Sequence, residues 1–548
     1  MSSSASSEDR GQWGSKLGFI MAAAGSAVGL GNIWRFPYVT GENGGAAFVL
    51  VYLACVFLIG VPLLYVELAL GRASGRNPVG AFQKTKPGTP FVFTGVLCLM
   101  ACFFVLTYYG VIAGWTISYA ASHVSPKLFS AIKDLGPAAY FEGYTSTPYA
   151  VLPAFAIFIV LTIWIVSAGI EKGIEKWSKI LMPLLFILML IIIFKSLSLK
   201  GAGAGLKYYL SPDFSKINGQ VVLMALGQAF FSLSVGWGLM ITYGSYMPKS
   251  QNIATNGLWV ASADTLVAIL AGFMVFPAVF AFNMDPGAGA GLTFVTLPKV
   301  FGLMPGGWVF GAIFFCLLSV AAVTSSISML EVPVSYFVDN KPKSRRTSAI
   351  IVGIVAFLIG IPSALSAGGS DFFTNMEIFG KKGFLDIMDQ VFGTLCLIVI
   401  SLALSLYVGW VWKTDDAVEE MSTGCEWFSK PFKLLFGMSP ATIWVFFIRY
   451  ICPAVIALVL CNTLGSAMGA LAIVFWYTGI LLFLAGWVYF LVRTYKQEQI
   501  DWFILIAIPI TAPLAILAYG TREFETVKAP LFLALSGFFL MALKVVVL

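Results

Sequence analysis

Fourteen predominantly apolar stretches follow one another along the chain. They lie near residues 16–38, 46–71, 91–121, 150–168, 177–197, 220–246, 254–282, 308–336, 347–366, 384–411, 442–463, 469–492, 502–519 and 530–547. Crossing a bilayer takes about 20 apolar residues in a helix, and most of these stretches reach that length. The pattern therefore predicts an all-α polytopic membrane protein with about 12–14 transmembrane helices. The stretch at 502–519 is short and contains Pro509 and Pro513, so the end of the chain is its least regular part. Glycine and proline punctuate the connections (Pro126, Pro137, Pro212, Pro286, Pro305), which marks them as shaped loops rather than linkers.

Charge gives this pattern a direction. The connection after the second stretch carries Arg72, Arg76, Lys84 and Lys86, and the one after the eighth carries Lys341, Lys343, Arg345 and Arg346. Lysine and arginine collect in cytoplasmic loops, so both connections are expected inside. Counting spans then puts both termini inside and the connections at 122–149, 198–219, 283–307 and 367–383 outside. The acidic connection at 414–430 falls inside and reads as solvated surface. Met1 to Gly14 is Ser-rich and has no apolar h-region, which predicts a short cytoplasmic tail rather than a cleaved signal peptide.

Composition narrows the class further. Of 548 residues, 59% are hydrophobic and only 11% charged, with a mean hydropathy of +0.90. A soluble protein of this size could not cover its surface with so few charges. The net charge of +7 resides at segment ends, so it does not point to nucleic acid. Cys55, Cys98, Cys102, Cys316, Cys396, Cys452 and Cys461 lie in apolar stretches and read as small hydrophobes; Cys425 alone lies in a polar loop. No disulfide framework is expected. His123 is the single histidine and has no cysteine cluster beside it, which speaks against a metal centre. The absence of a nucleophile–base pair speaks against an enzyme.

Two of the apolar stretches are poor continuous helices. The first contains Gly25-Ser26-Ala27-Val28-Gly29-Leu30-Gly31-Asn32, followed by Arg35 and Pro37. The sixth contains Phe231-Ser232-Leu233-Ser234-Val235-Gly236-Trp237-Gly238. Small residues also serve close helix packing, but two such clusters five segments apart point to broken helices around a binding site. Unwound backbone is tolerated at that depth only where it is buried in protein or lines a cavity.

These residues carry a resemblance. Gly25 to Pro37 with Glu42-Asn43-Gly44-Gly45 resembles the first helix of the neurotransmitter:sodium symporters. Gln228 to Gly238 with Ile241-Thr242-Tyr243-Gly244-Ser245-Tyr246 resembles their sixth, and Thr324-Ser325-Ser326 the sodium motif of their eighth. The resemblance covers about residues 10–495. It implies the LeuT-type fold, a five-plus-five inverted repeat with helices 1 and 6 broken and two helices added. Residues 1–15 would be a cytoplasmic tail, 16–411 the ten-helix transport core, 412–495 helices 11 and 12, and 496–548 extra transmembrane segments. It also implies a bacterial LeuT-like amino-acid importer of the cell membrane, driven by sodium through alternating access.

The resemblance implies particular sites. A first sodium site would use the Ala27 carbonyl, Asn32, Ser232 and Asp264, together with the substrate carboxylate. A second would use carbonyls of Gly25, Val28 and Ala321 with the hydroxyls of Thr324 and Ser325; the competing role for those hydroxyls is bonding to their own helix. The substrate pocket would be lined by Ser26, Ala27, Leu30, Gly31, Val105, Tyr109, Phe231, Ser234, Trp237, Ser325, Ser328 and Met329. Arg35 and Asp389 would form an outer gate. Arg10 and Asp339 would form an inner latch, with Tyr246 supporting it and Trp13 plugging beneath. Many relatives have asparagine at the position of Asp264. An aspartate inside an apolar segment is costly and points to function. Asp264 is expected to supply the charge that chloride supplies in some relatives, so two sodium ions and no chloride are expected. Glu67 reads as an internal support for the broken helices, while Glu331 has no assigned partner.

Two positions bear on cargo. Monoamine carriers of the family have aspartate where this chain has Gly29, so a biogenic amine is disfavoured. Glycine carriers have tryptophan at the position of Trp237, and with Met329 it would shrink the pocket. The expected cargo is thus a small neutral amino acid such as glycine or alanine. The alternatives are a larger apolar or aromatic amino acid, or a related small zwitterion. A channel is a remote reading, because channels favour symmetric pores built from repeated elements.

Overall fold

A computed structural model describes residues 11–287, 291–340, 344–378, 380–432 and 438–468. The segments expected at 469–492, 502–519 and 530–547 lie outside the described residues, as does Arg10. Among the described residues, nine helices are long and apolar enough to cross a membrane: Ala46–Ser74, Val92–Ser122, Pro148–Ser167, Ile170–Leu197, Ile253–Ala281, Gly307–Asn340, Arg345–Leu365, Phe384–Val411 and Pro440–Leu464. In chain order these are spans 2, 3, 4, 5, 7, 8, 9, 10 and 11. Span 1 is a bent pair, Lys16–Ala27 and Gly31–Glu42, with 49° between its halves. Span 6 is split into Gly219–Ser232 and Leu239–Gly244.

Local chemistry sets these boundaries. The Ser15 hydroxyl accepts from Gly18 N at the start of span 1, and Asn218, Asn252 and Ser344 cap spans 6, 7 and 9 in the same way. Span 2 stops at Gly75, whose φ of 60° is the left-handed conformation that closes many helices. The loops are shaped, as their glycines and prolines predict. Helices Pro126–Leu135 and Pro137–Thr145 fill the connection after span 3, and Leu297–Leu303 lies between spans 7 and 8.

Burial sorts the spans into a centre and a rim. The most apolar window of span 8 is 78% buried and that of span 3 is 67%, against 33% for spans 5 and 11. Spans 3 and 8 run side by side, and the Lys16–Ala27 half of span 1 packs against spans 5, 7 and 8. Spans 5, 9 and 11 lie toward the rim, and spans 5 and 9 turn large apolar side chains outward, among them Ile187, Phe194, Ile354 and Leu358. With no water to compete, such a face is covered by hydrocarbon.

One feature of the loops differs from expectation. Cys425, assigned to a polar loop, is buried. Helices Thr414–Ser422 and Glu426–Ser429 fold against the bundle end and place Ala417, Met421 and Phe428 inward with it. The acidic residues on that stretch obscure this amphipathic pattern.

Candidate functional site

The two broken spans meet at the centre of the bundle. In span 1 the helix stops at Ala27, and Val28 turns extended with ψ 100°. In span 6 the chain between Ser232 and Leu239 leaves the helix through Ser234, Gly236 and Gly238, with φ of 54°, 93° and 71°. Glycine takes such angles freely, whereas a serine there is uncommon. The Ser234 hydroxyl donates to the Ser26 carbonyl at 3.2 Å, which joins one break to the other.

Buried side chains support the freed backbone. Glu67 of span 2 is fully buried, and its two carboxylate oxygens accept from Gly236 N at 2.7 Å and Met240 N at 3.1 Å. This is the support that its position in an apolar run suggests. Gln228 Nε2 donates to the Gly31 carbonyl at 2.9 Å, so span 6 supports span 1 in turn.

Two clusters of oxygen atoms lie beside the breaks. In the first, Asn32 Nδ2 lies 2.9 Å from Ser232 Oγ, 2.7 Å from Asp264 Oδ1 and 3.1 Å from the Asp264 carbonyl. Ser232 Oγ donates to Asp264 Oδ2 at 2.6 Å, and the Tyr52 hydroxyl donates to Ser232 at 3.1 Å. Asp264 is completely buried, and no cationic side chain pairs with it among the described residues. Gln228 bonds the Gly31 carbonyl and accepts from Arg35.

In the second cluster, Thr324 Oγ1 lies 2.9 Å from the Ala321 carbonyl and 3.4 Å from that of Val28. Ser325 Oγ lies 3.2–3.5 Å from the carbonyls of Gly25, Ser26 and Val28. All five groups expected at the second sodium site therefore converge. The contact between Thr324 and Ala321 is the local helix bond, and the contacts with span 1 are additional. Hard, weakly polarising cations are held by oxygen donors of this kind, with broken-helix carbonyls supplying much of the shell.

Between the clusters lie the residues expected to line a pocket. Ser26 Oγ donates to Ser328 Oγ at 2.7 Å, and Leu30 N donates to the Tyr109 hydroxyl at 3.3 Å. Phe231 and Trp237 meet edge to face with ring centres 5.4 Å apart. Val105, Trp237 and Met329 are buried, and the Trp237 Nε1 has no partner among the described residues. Gly29 approaches closely: a Cβ there would lie 2.5 Å from Ser325 Oγ and 3.0 Å from the Tyr109 hydroxyl. An aspartate there would have to displace the Ser325 and Tyr109 side chains.

The two ends of the site differ. At the end carrying the basic connections, Trp13 Nε1 donates to the Tyr243 carbonyl at 2.9 Å and the ring packs against Phe19 and Tyr243. Tyr246 donates to Glu331, which is ion-paired with Arg345. Asp339 accepts from the backbone N–H and the side-chain amide of Asn77, both at 2.8 Å. Sequence reasoning left Glu331 without a partner and missed Arg345 and Asn77. A carboxylate buried in an apolar run needs hydrogen-bond donors or a cation, and the basic cluster after span 8 was the available signal for a cation.

At the opposite end, Arg35 and Asp389 are half-buried but are not paired directly. Arg35 Nη1 donates to Gln228 Oε1 at 3.0 Å and the guanidinium lies 4.9 Å from the Phe231 ring centre. Asp389 Oδ1 accepts from the Tyr108 hydroxyl at 2.8 Å. The expected outer pair is thus replaced by two separate contacts, each satisfying one charge locally. His123 lies beyond span 3, its Nδ1–H donating to the Tyr119 carbonyl at 2.7 Å and its ring packed on Phe129 and Phe315. Burial lowers its pKa to about 4, so it is neutral. Among the described residues no group of three or more His, Cys, Asp and Glu side chains is arranged to hold a metal ion.

Comparison with known proteins bears on this arrangement. A family model described as the sodium:neurotransmitter symporter family matches residues 10–131 and 150–478. A sodium-dependent transporter of Bacillus subtilis, YhdH, is 38% identical over 454 residues, covering 83% of this chain and 98% of that protein. A sodium-dependent transporter of Haemophilus influenzae is 35% identical over 467 residues, covering 83% and 99%. The crystal structure of MhsT in complex with L-phenylalanine superposes with a TM-score of 0.74 at 42% identity, covering 84% of this chain and all of that one.

Proposed function

The chain belongs to the sodium:neurotransmitter symporter family and shares the LeuT-type fold, and on that premise we propose that it imports a neutral amino acid by coupling it to two sodium ions. That it is a sodium-dependent membrane transporter and not an enzyme follows from the family itself. The convergence that carries the fuller reading is that of the Gly25, Val28 and Ala321 carbonyls on Thr324 and Ser325. Two hydroxyl protons are shared among these carbonyls, and a cation would compensate the remaining oxygen dipoles in this buried place.

In this reading the second cluster holds one sodium. The first holds the other through Ala27, Asn32, Ser232 and Asp264, with the cargo carboxylate completing its shell. Tyr109 and the amides near Leu30 and Gly31 meet that carboxylate. Carbonyls of the breaks and Ser234 meet the amine. Asp264 supplies the buried negative charge, so transport needs no chloride. Trp13, Tyr246 and Asp339 with Arg10 close the cytoplasmic side; Arg35 and Asp389, which stand apart here on Gln228 and Tyr108, would close the outer one by coming together. Residues 1–15 form the tail, 16–411 the transport core, and 412–495 and 496–548 the added segments. The protein resides in the cell membrane with its N-terminus inside.

The cargo reading changes with the comparisons. The bulk of Trp237 supports glycine or alanine, but MhsT, 42% identical, binds L-phenylalanine. That supports a larger apolar or aromatic amino acid ahead of the small one. Radiolabelled uptake into proteoliposomes, with sodium and chloride varied independently, tests both parts. Sodium-dependent, chloride-indifferent uptake of phenylalanine, tryptophan or leucine ahead of glycine is expected. Preference for glycine would restore the smaller cargo, and Trp237→Phe should then widen the range. Uptake without sodium would remove the reading altogether.

A further inference from the structure

Thr324, Ser325 and Ser326 stand together in the sequence, but only the first two bring their hydroxyls to span 1. Successive helix positions turn by about 100°, so the three do not share one face. Ser326 Oγ lies instead 2.8 Å from Thr162 Oγ1 of span 4, and both residues are fully buried. About two turns earlier on the same side of span 8, Ser319 Oγ lies 2.8 Å from Thr116 Oγ1 of span 3. By the same spacing Ala321, Thr324, Ser325 and Ser328 lie on the side opposite to Ser319 and Ser326. One face of span 8 thus supplies the oxygens that converge on span 1, and two hydroxyl pairs hold the other face.

Each of the four hydroxyls also reaches a carbonyl of its own helix. Thr116 meets that of Ala113, Thr162 that of Phe158, Ser319 that of Phe315 and Ser326 that of Val323, at 2.7–3.0 Å. In each pair one hydroxyl donates to the other, which donates to its own helix. A hydroxyl satisfied within its helix needs no second span, so what the pairs add is a fixed relation between spans. Spans 3 and 4 make a tight frame for them: a Cβ on Gly114 of span 3 would lie 2.8 Å from Phe155 N of span 4, and one on Gly110 would lie 2.6 Å from Phe155 Cε2. A rotation of span 8 about its axis would part both pairs and carry Thr324 and Ser325 sideways past the Gly25 and Val28 carbonyls. Binding constellations need their geometry held to about 0.5 Å by the packing and hydrogen bonds behind them.

We propose that Thr116 and Thr162 are positioning residues for the second sodium ion. Through Ser319 and Ser326 they fix the rotation of span 8, and with it the aim of Thr324 and Ser325. Neither threonine touches the ion. This role rests on the two-sodium reading.

The test titrates the purified protein in detergent with sodium chloride, at ionic strength held constant by choline chloride and without any amino acid. The apparent dissociation constant for sodium is read from the rise in melting temperature. In this reading the first site lacks the cargo carboxylate under these conditions, so the titration follows the second. Thr162→Val keeps the shape of the side chain and leaves Ser326 its own carbonyl, so the variant should fold. Loss of one hydrogen bond's net contribution should raise the sodium constant about five-fold, and Thr162→Ser, which keeps a hydroxyl, should leave it at the native value. Thr116→Val should act in the same direction. Ser326→Ala should match Thr162→Val, and the double variant should be no worse than either, because a single pair is lost only once. A lower melting temperature in choline alone with an unchanged sodium constant overturns the proposal, as do additive effects of Thr162→Val and Ser326→Ala. Thr324→Ala separates the positioning role from the reading beneath it. If Thr324→Ala raises the sodium constant and Thr162→Val does not, the positioning role fails by itself; if neither raises it, the second sodium site falls as well.

Discussion

The Ser232 hydroxyl donates to Asp264 at 2.6 Å, at the point where the helical part of span 6 ends and the unwound part begins. A buried carboxylate is thereby attached to the break itself, one bond away from Asn32 and therefore from span 1. The negative charge and the unwound backbone act as one unit.

Asp264→Asn should consequently introduce a need for an external anion. Two unit charges about 5 Å apart at an effective dielectric constant of about 20 attract by roughly 3 kcal/mol, on the order of a hundredfold in sodium affinity. Uptake by the variant should fall by that order in gluconate medium and recover in part in chloride, while the wild type responds to neither change. A wild-type protein that requires chloride would refute the assignment.

Gly29→Ala should impair the second cluster without unfolding the protein. The added methyl would lie 2.5 Å from Ser325 Oγ, and overpacking of this kind costs about 1–3 kcal/mol. The sodium concentration for half-maximal uptake should rise about five-fold or more by the same estimate, with the elution profile in detergent unchanged. An unaltered sodium dependence would detach Ser325 from ion binding.

Glu67→Gln removes one of two acceptors for the N–H groups of Gly236 and Met240. Hydrogen bonds to a charged group contribute roughly 1.5–3 kcal/mol each. The melting temperature in detergent should drop, and uptake should fall with it even though Glu67 lies behind the break. A variant with native stability and transport would show that the unwound segment holds its own shape.

Glu175 ties down the start of span 1. It accepts from Gly14 N at 2.7 Å, from the Ser15 hydroxyl at 2.8 Å, and is paired with Lys179. Glu175→Gln keeps the shape but removes the charge, and by the same estimate of roughly 1.5–3 kcal/mol it should raise the exposure of this segment about ten-fold or more. The labelling rate of Ser15→Cys by a membrane-impermeant thiol reagent, with and without Glu175→Gln, measures it. Equal rates would mean that Trp13 alone seals this end.

The breaks were legible in the sequence because glycine and serine at mid-segment weaken a continuous helix, and bilayer depth tolerates the freed backbone only inside protein. Thr324 and Ser325 likewise faced the expected carbonyls. The partner choices at either end were not legible. Arg35 meets Gln228, and whether it meets Asp389 instead depends on how far the Gly31–Glu42 half of span 1 and the start of span 10 stand apart. No local pattern encodes that separation. Asn77 and Asp339 are 262 residues apart, and their contact arises only after spans 2 and 8 have packed. Cys425 was misplaced because its cover comes from two short helices whose acidic faces dominate the composition.

The 49° bend in span 1 divides that span into two levers. The first lever is attached to Glu175 and, through Trp13, to Tyr243; the second is attached to Gln228. Neither has a continuous backbone ladder through which to drag the other. What passes between them must go through the carbonyls at the bend, whose dipoles repel one another when nothing positive lies between them. On the proposed reading the transported ion is therefore also a mechanical part. With the ion present the two levers move as one, and without it they come apart, so a slip in ion occupancy would be felt as a loss of coordination between the two gates.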